Sequence, residues 1–152
     1  MVVVEYPADM AQYLDKVVGS SDWVEITQEQ INKFADATLD HQWIHVDVER
    51  AKKEFPGGKT IAHGYLTLAL TAGLAQKTYK VEKRTSAVNY GLNKVRFLNQ
   101  VPVGSRVRGV FRCKAVDPMP NNGHRVTMEV TVEIEGQTKP ACVAETMAIM
   151  YA

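Results

Sequence analysis

The clearest period in the chain is the alternation of Val126, Met128, Val130, Val132 and Ile134 with Thr127, Glu129, Thr131, Glu133 and Glu135. Side chains two apart on an extended backbone share a face. The run, which extends over residues 124–135, therefore predicts an antiparallel strand with one dry face and one wet face. Three further stretches, residues 87–98, 105–116 and 141–151, are rich in β-branched and aromatic residues and predict strands as well. Breaks fall between them at Val101-Pro102-Val103-Gly104, at Asp117-Pro118-Met119-Pro120-Asn121-Asn122-Gly123 and at Glu135-Gly136.

The first half of the chain follows a different period. Thr27 begins a capping box with Gln30, and Ile31, Phe34, Ala35 and Thr38 then recur on one helical face. Met10, Tyr13, Leu14 and Val17 predict a helix over residues 7–18, and residues 23–26 a short strand. Residues 40–47 have no clean period and predict a structured loop. A short helix capped by Asp47 is expected over residues 48–54, then a turn at Phe55-Pro56-Gly57-Gly58. From His63 to about Lys80 the chain is apolar nearly all round, as in a buried central helix, with Gly64 and Gly73 marking close approach of backbone or ligand. Helices followed by a run of strands predict an α+β fold, in which the helix from His63 covers the dry face of the sheet. No repeat, low-complexity tract or linker divides the 152 residues, which predicts one domain over residues 1–152.

Composition excludes more than it identifies. A net charge of +1 without blocks of like charge argues against a nucleic-acid partner. No apolar run is long enough to span a bilayer, and the N-terminus lacks the basic lead and apolar core of a signal peptide. Cys113 and Cys142 form no CxxC pair and lie in predicted strands, so free thiols and a reducing, cytoplasmic setting are expected.

The chemistry concentrates in Asp40-His41-Gln42-Trp43-Ile44-His45-Val46-Asp47, which packs two histidines and two aspartates into eight positions. Adding water across an activated double bond needs a base for the water and an acid for the α-carbon. Asp40 and His45, five residues apart, suit those two roles, and an imidazole titrates near neutral pH. Gly64, at the start of the long helix, offers a backbone N–H to the oxygen that gains charge. Gln42 offers an amide to the substrate or the water. Each residue also has a plainer reading: a turn cap for Asp40, a satisfied buried imidazole for His45, helix–sheet packing for Gly64, a surface amide for Gln42. Asp47 caps the next helix, and His63 can serve as an N-cap whose ring never meets substrate. Asp40, His41, His45 and Asp47 are ligand types, but the segment has no HExxH-like pattern, and no metal is expected. No G-x-S-x-G elbow and no nucleotide-binding glycine loop occurs.

Asp40-x-x-x-x-His45-x-Asp47, followed by Ala62-His63-Gly64, resembles the MaoC-like dehydratases, which include the (R)-specific enoyl-CoA hydratases, and is most similar to their NodN-like branch. The resemblance runs from residue 26 to the last strand. It implies a hot-dog fold, a long helix wrapped by a curved antiparallel sheet, and a homodimer with an acyl pocket near the subunit interface. It implies reversible hydration of trans-2-enoyl-CoA to (R)-3-hydroxyacyl-CoA without metal or redox cofactor. Asp40 and His45 fall on the catalytic pair and Gly64 on the oxyanion-binding N–H. This chain departs from the family pattern at Leu39, often Gly; at Gln42-Trp43, often Asn-Pro; and at Ala72, a serine in some relatives. An acyl-CoA thioesterase or a non-catalytic acyl-thioester binder on the same fold are the alternatives.

Overall fold

The strand-forming half of the chain folds as one antiparallel sheet. In the computed structural model, which describes residues 1–152, its strands are β2 (Val17–Ser20), β3 (Val24–Glu25), β5 (Ser86–Phe97), β6 (Arg106–Met119), β7 (Gly123–Ile134) and β8 (Cys142–Tyr151). They lie in the order β2-β6-β7-β8-β5, with β3 also paired to β6. The alternating run is β7, and Val126, Met128, Val130, Val132 and Ile134 are all buried. β6 outruns its expected end, because Asp117, Pro118 and Met119 stay paired with Arg125, His124 and Gly123 up to the hairpin.

The helices are α1 (Gln28–Thr38), α2 (Trp43–Val46), α3 (Val48–Glu54) and α4 (Gly64–Gln76). α4 packs on the sheet through Leu66 and Leu74, which join Val107, Phe111, Val130 and Val132 in the core. This is the hot-dog arrangement, α+β with a helix held by a curved sheet. α4 is not buried all round: Tyr65, Ala69, Ala72 and Gly73 are exposed. Nothing lies within contact of a Cβ at Gly73, so that glycine marks no close approach. The helix also stops before Lys80, where residues 79–81 become β4 (Tyr79–Val81) and pair in parallel with β1 (Val2–Val4).

Two further expectations change. The stretch 7–18 is a 3₁₀ helix over Pro7–Tyr13 followed by β2, because Asp15 takes a left-handed φ of 59° and donates its N–H to Cys113 in β6. Cross-strand pairing there outweighs the helical period. On α1, Ile31 and Ala35 are buried and Phe34 is half-buried, but Thr38 is exposed and turns its hydroxyl to the Phe34 carbonyl. Thr27 caps the helix by accepting from the Gln30 N–H. Cys113 and Cys142 are buried free thiols, and burial raises both of their pKa values. No helix is long and apolar enough to cross a membrane.

Candidate active site

Asp40 reaches the site because α1 ends abruptly. Leu39 caps that helix in the left-handed region, φ 65° and ψ 18°, which reverses the chain direction. A glycine would adopt this conformation freely, and a leucine does so against its Cβ. The departure at Leu39 therefore preserves the turn. Asp40 then accepts a 3.3 Å hydrogen bond from the Gln42 N–H, and its carboxylate stays half exposed.

His45 sits on α2, a single turn inside the stretch expected to be a loop, and is buried at 7% exposure. Its Nδ1 lies 2.7 Å from the Ile61 carbonyl oxygen. A carbonyl can only accept, so Nδ1 carries the proton and Nε2 presents a lone pair. Burial holds the His45 pKa below its ordinary 6.5; the Ile61 carbonyl and Asp40 oppose that shift, and His63 adds to it. The ring is therefore a neutral base at physiological pH.

His63 is the N-cap of α4 by position, but its side chain caps nothing. Its ring is buried and stacks on His45 with centroids 3.8 Å apart. Its Nε2 lies 3.0 Å from the Asp40 carbonyl oxygen and 4.0 Å from the Asp40 carboxylate, so Nε2 carries the proton and donates to the main chain. Nδ1 is buried without a partner. One ligand-type atom from each of Asp40, His45 and His63 lies within 4.8 Å of the others, close enough in space for a metal ion. With His45 Nδ1 and His63 Nε2 both committed to carbonyls, the ligand-type atoms left without a partner are His45 Nε2, the buried His63 Nδ1 and a carboxylate oxygen of Asp40.

Beside this cluster is a cleft of about 360 Å³ lined by His45, Ile61, Gly64, Thr67, Phe97 and Ala141 among others. Gly64 is the first residue of α4, where amide N–H groups have no helical acceptor and the helix dipole favours negative charge. A Cβ here would meet the Phe97 ring at 3.2–3.4 Å. Gln42 is brought to Asp40 only through its backbone; its side chain is exposed and forms no hydrogen bond. Asp47 accepts from the Arg50 N–H and caps α3. A larger cavity of about 640 Å³, lined by Leu68, Ala72, Ala75, Tyr90 and Met147 among others, flanks the exposed side of α4. The edge-on packing of Tyr65 on Phe97, 5.9 Å between centroids, joins residues that line the two cavities.

A profile for the MaoC like domain matches residues 9–151. The chain belongs to the MaoC-like family. It is 54% identical over 147 residues to 3-hydroxyacyl-thioester dehydratase Z of Mycobacterium tuberculosis, covering 97% of each chain. It is 43% identical over 144 residues to nodulation protein N of Rhizobium leguminosarum bv. viciae, covering 94% of this chain and 89% of that protein. Among solved structures, the (R)-hydratase from A. caviae involved in PHA biosynthesis superposes with a TM-score of 0.67 at 19% identity, covering 88% of this chain and 95% of that one. This MaoC-like protein is a hydro-lyase with the hot-dog fold, a hydratase or dehydratase that moves water onto or off a carbon–carbon double bond.

Sequence reasoning named Asp40, His45 and Gly64; the fold lines one cleft with His45 and Gly64 and sets Asp40 beside His45, outside the cleft's lining. That reasoning assigned His63 no part beyond a cap and missed Gln28, which donates to the His45 carbonyl, and Thr60, which donates to Gln28. A second histidine immediately before the glycine was the available signal for His63; no local signal marks the other two.

Proposed function

We propose that this MaoC-like protein is an (R)-specific enoyl-CoA hydratase, converting trans-2-enoyl-CoA to (R)-3-hydroxyacyl-CoA and back. The observation that carries this is the Nδ1–H tautomer of His45, which leaves Nε2 basic on a ring that has a nitrogen within 4.8 Å of an Asp40 carboxylate oxygen and lines the same cleft as the start of α4. That separation suits one water shared by both side chains.

In the hydration direction His45 Nε2 takes a proton from this water as its oxygen bonds the β-carbon. The π electrons move to the thioester oxygen, which the Gly64 N–H receives. The proton is relayed from His45 through Asp40 to the α-carbon on the same face, giving syn addition and returning both side chains to their starting forms. The exposed Gln42 amide assists in holding the thioester. The chemistry needs no cofactor. The large apolar cavity beyond Tyr65 and Phe97 gives the acyl chain a place outside water.

The working unit is a homodimer of one-domain chains in the cytoplasm. β5 is a 12-residue edge strand, hydrogen-bonded only to β8, with Val88, Tyr90 and Leu92 exposed. A long apolar edge of this kind invites a second copy. Loss of enone absorbance from crotonyl-CoA, with chiral analysis of the product, tests the assignment. Wild type should consume the enone and yield the R alcohol, and Asp40→Asn and His45→Gln should each be at least ~100-fold slower. Equal rates in all three would overturn the mechanism, and release of free thiol from saturated acyl-CoA would select a thioesterase.

A further inference from the structure

The segment that carries His45 is too short to hold an imidazole still. α2 has four residues, and a single turn of helix has little stability of its own. What holds it is a set of contacts to residues far away in the chain. The His45 ring donates through Nδ1 to the Ile61 carbonyl, and the Ile61 N–H donates to the Ile44 carbonyl at 3.1 Å. The His45 carbonyl, in turn, accepts a 2.8 Å hydrogen bond from Gln28 Nε2 at the first position of α1. Gln28 Oε1 accepts from the hydroxyl of Thr60, the residue before Ile61.

These bonds close a ring: His45 side chain to Ile61, along the chain to Thr60, across to Gln28, and back to the His45 main chain. Thr60 is buried at 1% exposure, and its segment is tied to the sheet side by Val103 N–H to the Thr60 carbonyl and Ala62 N–H to the Val101 carbonyl. The Gln28 amide has one possible orientation. Turned over, it would set Oε1 against the His45 carbonyl oxygen. Its second N–H is satisfied by Asn32 Oδ1 at 2.9 Å, so every polar atom of that side chain is engaged.

We propose that Gln28, which no step of the hydration uses, is a positioning residue that holds His45 in its Nδ1–H tautomer and aims Nε2 at the shared water. The ring works in both directions: it fixes the acceptor that demands the proton at Nδ1, and it fixes the backbone from which the imidazole hangs. The consequence for rate rests on the hydratase reading above; the consequence for the tautomer does not. Geometry of this kind matters steeply, since a displacement near 1 Å at a reacting group can cost up to ~100-fold in rate.

The test uses the full chain labelled with ¹⁵N-histidine, the His45 resonances being assigned by their loss in His45→Gln. Three variants separate the contributions. Gln28→Met keeps the shape without the hydrogen bonds. Gln28→Glu keeps an acceptor for Thr60 but has no N–H for the His45 carbonyl. Thr60→Val removes only the hydroxyl. In wild type the nitrogen shifts should report Nδ1–H. Each variant should move the shifts toward a mixture with Nε2–H and lower kcat on crotonyl-CoA ~10-fold, with KM within ~2-fold. Gln28→Met combined with Thr60→Val should be no slower than the worse single variant. Wild-type nitrogen shifts in Gln28→Glu and Thr60→Val would overturn the proposal, as would a fall in kcat that disappears when the rate is expressed per mole of folded protein. Should wild type hydrate no enoyl thioester, the reaction assignment fails while the tautomer measurement still decides the positioning role.

Discussion

The His45 and His63 rings stack with centroids 3.8 Å apart and planes 21° from parallel. One of these imidazoles is the open base of the cleft. The other fixes its plane and donates to the Asp40 main chain, and so connects the two halves of the pair. His63 also carries a buried Nδ1 with no partner, a cost to stability that the position retains.

That combination predicts that stability and activity will separate. His63→Phe preserves a ring against His45 and Phe34 and removes the orphaned nitrogen, but loses the donor to Asp40. The variant should melt within ~3 °C of wild type or above it, while kcat falls ~10-fold or more. Calorimetry beside enone turnover reads both; a parallel loss of the two would mean that the ring serves packing alone.

Acidification should inactivate the protein below the range of an ordinary histidine. The His45 pKa is lowered from 6.5, chiefly by burial. The base is neutral above its folded-state pKa, so kcat/KM should fall with decreasing pH along a limb centred below 6.5. Stability has the same sign. Between the folded and unfolded pKa values the unfolded chain binds the extra proton, so the His45 contribution is complete above 6.5 and is lost as pH falls through the folded value. A pH–rate profile centred above 6.5 would contradict the buried neutral imidazole.

Gly64→Ala tests the approach to the helix start. The added Cβ would press on Phe97 ring carbons at 3.2–3.4 Å, and that ring is itself half exposed and able to yield. The fold should therefore survive with little change in melting temperature, whereas kcat/KM should drop ~10-fold or more as the methyl crowds the amide. Unchanged turnover would remove the Gly64 N–H from the mechanism.

Leu39→Gly should stabilise. Leu39 is 84% exposed, so little burial is lost, and its φ of 65° suits glycine. Relief of the left-handed strain, less the extra freedom of the unfolded glycine, should leave up to about 1 kcal/mol, or a rise of ~2–4 °C in melting temperature. Turnover should not change, because Asp40 keeps the same turn. A lower melting temperature would mean that Leu39 packs against something, such as a second copy of the chain.

The β5 edge predicts association. Val88→Lys with Leu92→Lys places two charges on exposed positions of a strand whose outer edge is unpaired. Light scattering should report a dimer for wild type and a monomer for the double variant, with the far-ultraviolet circular dichroism retained. A wild-type monomer would sink the edge-to-edge dimer.

Local chemistry in the sequence was enough for much of this molecule. Period-two burial in β7, the Thr27 and Asp47 caps and the Gly-rich turns follow from side-chain spacing and backbone preference, which act between near neighbours. The grouping of Asp40, His45 and Gly64 was legible as a motif. Tertiary structure alone decided the rest. It broke the helical period of residues 7–18 by pairing Asp15 with Cys113, and it left one side of α4 open. It set the His45 proton through a carbonyl sixteen residues away, stacked His63 on that ring, and brought Gln28 to its backbone. A hydrogen bond between distant residues leaves no period in a sequence. Its strength depends on burial and angle, and those exist only once the chain has folded.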